Sequence, residues 1–79
     1  MILTPVIFAD ASNHIGGVQA GILAALNAFL DKVPAGETVD IPPETSIVLT
    51  HLCSASGNDV ASKVSTFNQQ QVKKHPVPA

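Results

Sequence analysis

A chain of 79 residues has room for one domain and one modest core, which excludes a second domain of ordinary size. Hydrophobic residues make up 46% of it, yet three are Phe and none is Trp or Tyr, so the core must be built from Ile, Leu, Val and Ala. The net charge is −2 and all four basic residues are lysines, which argues against nucleic-acid binding, where Arg forks and basic patches carry the contacts.

Ile2–Phe8 (ILTPVIF) is an apolar run rich in β-formers and predicts a strand. Pro5 confines it to an edge or imposes a break, because proline cannot donate to a ladder. A polar turn, Ala9–Asn13, leads into the longest apolar stretch, His14–Val33. There Ile15, Val18, Ile22, Leu26, Phe29 and Val33 recur at steps of three and four, the spacing of one helix face. Ser12 and Asn13 are candidate N-caps, and Asp31 and Lys32 followed by Pro34 and Gly36 supply a stop.

The same stretch carries two rows of small residues, Gly17–Gly21–Ala25 and Ala20–Ala24–Ala28. Glycine inside a helix costs about 0.5–1 kcal/mol relative to alanine, so two of them call for an offsetting close approach by another backbone. Gly17, Gly21, Ala25 and Ala28 are therefore the candidate interaction residues. Packing within the chain is the first reading of that groove, and a subunit contact the second. A membrane-inserting Ile15–Leu30 helix is disfavoured but not excluded, because Gln19 and Asn27 interrupt it and Asp31 and Lys32 end it. A late start and no preceding basic region argue against a signal peptide.

Beyond Gly36, Val39 and Ile41 alternate with Thr38 and Asp40 as in a half-buried strand. Pro42, Pro43 and Glu44 then form a turn, and Thr45–Leu52 (TSIVLTHL) predicts a second strand, closing a hairpin. The competing reading makes Pro42-Pro43-Glu44 a helix start, since proline suits a first turn. Ser54–Asn58 has loop composition. From Asp59 onward Val60, Val64, Phe67 and Gln71 fall on one helical face, with Asn58 as cap and Lys73 and Lys74 near the end.

The expected order is β-α-β-β-α: an α+β domain over residues 1–75 with a short sheet, two helices on one face, and a flexible tail at 76–79. Such a sheet would leave its other face needing cover, a second pointer to self-association.

Four residues could carry chemistry: Asp10, His14, His51 and Cys53. Their spacings match no closed zinc site, and His51 and Cys53, two apart on a strand, seldom reach the distance a nucleophile–base pair needs. No phosphate loop, dinucleotide fingerprint or nucleophile elbow occurs, so no cofactor, metal or catalytic residue is expected. The single cysteine rules out an internal disulfide and fits cytoplasm or virion equally.

Low charge, the small-residue groove and the absence of catalytic constellations point to a non-enzymatic assembly or interaction protein, homo-oligomeric or docking on a protein partner. The fifteen residues Gly36–Thr50 (GETVDIPPETSIVLT) resemble in style the short β segments of virion and adhesin modules, and that resemblance implies a small phage-type structural or accessory protein. The alternatives are a membrane-inserting protein using Ile15–Leu30 and a small Cys/His-dependent or metal-binding protein.

Overall fold

The computed structural model describes residues 1–74; residue 75 and the tail expected at 76–79 lie outside the described residues. Among those residues the architecture is all-helical, not α+β. Two short 3₁₀ turns, Pro5–Phe8 and Ala11–Asn13, precede α1 (Val18–Asp31), α2 (Pro43–Leu52) and α3 (Ser54–Lys74). Of the expected sheet only one isolated parallel bridge exists, between Ile2 and Asp40. No sheet face is left needing cover, and that argument for self-association falls.

Each correction has a local cause. Pro5 starts a 3₁₀ turn in place of a strand, and Phe8 at its end is buried. Thr45–Leu52 is helix because Pro43 pre-sets the first turn and Glu44 sits beside the unpaired N–H groups there. The inward residues Thr45, Val48, Leu49 and Leu52 are helix-spaced, whereas a strand would leave apolar residues on both faces. Packing thus overrides the β-branched composition, and the likeness of Gly36–Thr50 to β segments does not survive.

The main helix starts four residues later than its apolar pattern suggests. Ser12 and Asn13 belong to the second 3₁₀ turn, and Ile15 is 95% exposed. Gly17 is the N-cap at φ 106°, a conformation that residues with a Cβ rarely adopt. α3 begins five residues early, at Ser54, and its first turn packs inward through Ser56, which is small enough to be fully buried.

Leu3, Phe8, Ala11, Ile22, Leu26, Val39, Leu49, Val60 and Val64 form one buried cluster, aliphatic apart from a single ring. α3 packs against both α1 and α2, while the first 3₁₀ turn touches α1 and α2 and the second lies on α1. Polar side chains connect these layers. Asn68 Oδ1 accepts from Val39 N at 2.8 Å and its Nδ2 donates to Val39 O at 2.9 Å. Gln71 Nε2 donates to the carbonyls of Pro34 (3.0 Å) and Glu37 (2.9 Å).

The fully buried Thr45 hydroxyl donates to Leu3 O at 2.6 Å and ties α2 to the N-terminal segment. Thr45→Val keeps the shape and removes the donor. It should cost about 1–3 kcal/mol, the penalty for stranding a buried carbonyl, read as a shift in urea midpoint at unchanged slope.

Candidate functional site

The four candidate interaction residues do not share one environment. Gly21 is buried, and a Cβ there would stand 2.7 Å from Ala11 O and 2.7 Å from His14 Cβ. The solid object against Gly21 is therefore the second 3₁₀ turn of the same chain. Ala25 is half-buried against the core. Gly17 is exposed with nothing within 4 Å of an added Cβ, and Ala28 is exposed.

The two rows of small residues consequently face different ways. Gly21 and Ala25 turn toward the core with Ile22 and Leu26. Along the other row Ala20 is half-buried while Ala24 and Ala28 are exposed. Ala24 and Ala28 thus form a smooth exposed strip along α1, partly covered at its N-terminal end, at Ala20.

Asp10 and His14 bracket the second 3₁₀ turn, both exposed, and His51 is exposed on α2. Among the described residues no group of three His, Cys, Asp or Glu side chains is placed to hold a metal ion. A depression on the outer side of α2 is lined by Ser46, Ile47, Thr50 and His51, and Ile47 there is 68% exposed. A groove between α1 and α3, lined by Leu30, Lys63 and Phe67 among others, is equally shallow.

A more chemically distinctive feature lies at the α2–α3 junction, in a stretch read from sequence as loop. Cys53 is the one extended residue between the two helices (φ −166°, ψ 108°), and its N–H bonds Leu49 O. It is half-buried and immediately precedes Ser54, so it holds the N-cap position of a 21-residue helix. The thiol is acidified first by the Ser56 side chain and then by the Ser56 N–H. Burial opposes this, the Ala55 N–H assists it, and the Asp59 carboxylate opposes it.

Ser56 Oγ is fully buried and makes no hydrogen bond of ordinary geometry. No capping signal marks this start in the sequence, because Cys53 is not a preferred N-cap and Ser56 stands where a capping box would carry Glu or Gln. Comparison with protein-family models, with curated proteins and with solved structures returned no match.

Proposed function

We propose that this is a non-enzymatic interaction protein that self-associates through the outer face of α1. The observation that carries the reading is the exposed strip of Ala24 and Ala28, continued by the half-buried Ala20, on a helix whose opposite face is already committed to the core. Side chains this small let a second backbone approach closely, and close approach multiplies weak dispersion contacts. Val6 on the first 3₁₀ turn and Ile47 on α2, two elements that pack together, and Ile2 in the N-terminal segment are each at least 60% exposed, and this aliphatic surface supports docking on a protein partner as the second reading.

A phage-type role rested on the β likeness and has no support beyond it. The membrane-inserting reading is weakened: among the described residues no helix is long and apolar enough to cross a membrane. At 1.5 Å per residue α1 is about 21 Å long against a hydrocarbon core of about 30 Å.

The test is molar mass by sedimentation equilibrium at low and high protein concentration. The wild type is expected to gain mass with concentration. Ala24→Glu is expected to remain monomeric at both, with stability of the monomer changed by no more than about 0.5 kcal/mol because the site is exposed. A wild-type chain that is monomeric throughout would remove the self-association reading.

A further inference from the structure

We propose that α1 pairs antiparallel with α1 of a second copy about a twofold axis at Ala24, each Asp31 carboxylate seating on the partner's helix N-terminus. This pairing rests on the self-association reading and adds to it an orientation, a register and a charge contact.

Three features of α1 support the pairing. The first is the symmetry of its outer face. At 3.6 residues per turn, Gly17, Ala24 and Asp31, seven apart, return to one side of the helix, with Ala20 and Ala28 four residues either side of Ala24. Reversed about Ala24, the row maps onto itself. Ala24 falls opposite the partner's Ala24, Ala20 opposite the partner's Ala28, and Asp31 opposite the partner's Gly17. A twofold dimer requires a patch that is its own complement in this way.

The second is charge. α1 has no acidic residue in its first turn, no basic residue in its last, and no side chain capping its N-terminus. The positive end of its dipole is therefore uncompensated. Asp31 is exposed at the opposite end, where its own helix disfavours a carboxylate, and it makes no ion pair among the described residues. Antiparallel pairing relieves both mismatches, twice per dimer, whereas parallel pairing would set the two Asp31 carboxylates side by side.

The third is Ile15, 95% exposed and two residues before the cap. The reversed register brings the partner's Val33 to this end of α1, apolar cover that the monomer lacks.

Sedimentation equilibrium of the full-length chain over a range of concentrations measures the dissociation constant, and thiol cross-linking measures the register. Asp31→Asn should raise the dissociation constant by about 3- to 30-fold, because two helix-end contacts are weakened. The same variant should melt at an equal or higher temperature as a monomer, since its own C-terminus is relieved of a carboxylate. In a Cys53→Ser background under mild oxidation, Ala24→Cys should form a disulfide dimer and Ala28→Cys alone should not. Ala20→Cys mixed with Ala28→Cys should give the mixed pair. A wild-type chain that is monomeric at every concentration removes self-association and this pairing together. A dimer indifferent to Asp31→Asn, or one in which Ala28→Cys links to itself, overturns the pairing alone and leaves self-association standing. If the Cys53→Ser background does not fold, the Asp31→Asn dissociation constant decides.

Discussion

Gly21→Leu is expected to unfold the protein rather than to dissociate it. A Cβ at Gly21 would lie 2.7 Å from Ala11 O, 2.7 Å from His14 Cβ and 2.9 Å from Ala11 Cα. Two of those three atoms are backbone, held in a 3₁₀ turn whose Ala11 side chain is itself buried, so they cannot swing away as a flexible side chain would. Even Gly21→Ala should destabilise by about 1–3 kcal/mol, reversing the usual helix gain of about 0.5–1 kcal/mol on replacing glycine. Leucine must also displace the turn, and a domain this small has on the order of 4–12 kcal/mol in total. Gln19→Leu, an exposed neighbour that loses only its bond to Asp59, should cost within about 1 kcal/mol. Urea melts of the three variants measure the ranking. Because the obstructing atoms belong to the same chain, Gly21→Ala should leave the molar mass of the folded protein unchanged; a fall in mass would mean that a second chain also contacts that face.

The face of α1 that binds the core was legible because Ile22 and Leu26 fall at a helical step of four, and both are fully buried. The same holds for Val60, Val64, Phe67 and Gln71 on α3, where even the polar member was placed on the inward side. The start of each helix was less legible. The His14–Gly17 segment continues the apolar pattern, but two glycines of positive φ let the chain turn before the helix begins. Ser54–Asn58 reads as loop by composition and is helix because burying Ser56 requires a residue that small. α2 was ambiguous for a physical reason: Ile47 and Val48 have apolar, β-branched side chains that suit a strand, and only the inward spacing of Thr45, Leu49 and Leu52 decides for helix. The functional features show the same division. The glycine groove was visible as a pattern, but its occupant could be found only in three dimensions. That the Ser56 hydroxyl is sealed from water is a property no local pattern encodes.

Asn68→Ala is expected to cost about 2–6 kcal/mol, more than its half-exposed position suggests, because it strands two groups at about 1–3 kcal/mol each. Val39 is 2% exposed, and its N–H and C=O have the Asn68 amide as their partner in both directions. The amide thus does for Val39 what a neighbouring strand would have done, which is how a segment with strand-like alternation is satisfied in a fold without a sheet. The consequence runs further along the chain. Asp40, the next residue, accepts from Leu3 N at 2.9 Å and donates to Met1 O at 2.8 Å, and Leu3 O in turn accepts from Thr45 on α2. α3 therefore holds the N-terminal segment indirectly, through Val39, so Asn68→Ala should accelerate amide exchange at Leu3 and Asp40 beyond the change at Ile22 in the core. Asn68→Asp sharpens the test. Its carboxylate still accepts from Val39 N but faces Val39 O with no proton, so the folded state favours the protonated acid and raises its pKa. Stability lost at neutral pH should then return as the pH falls toward the unfolded-state value of about 3.9. A penalty for Asn68→Asp that stays constant across that range, or uniform exchange in Asn68→Ala, would mean that the amide fills space without bridging the loop to α3.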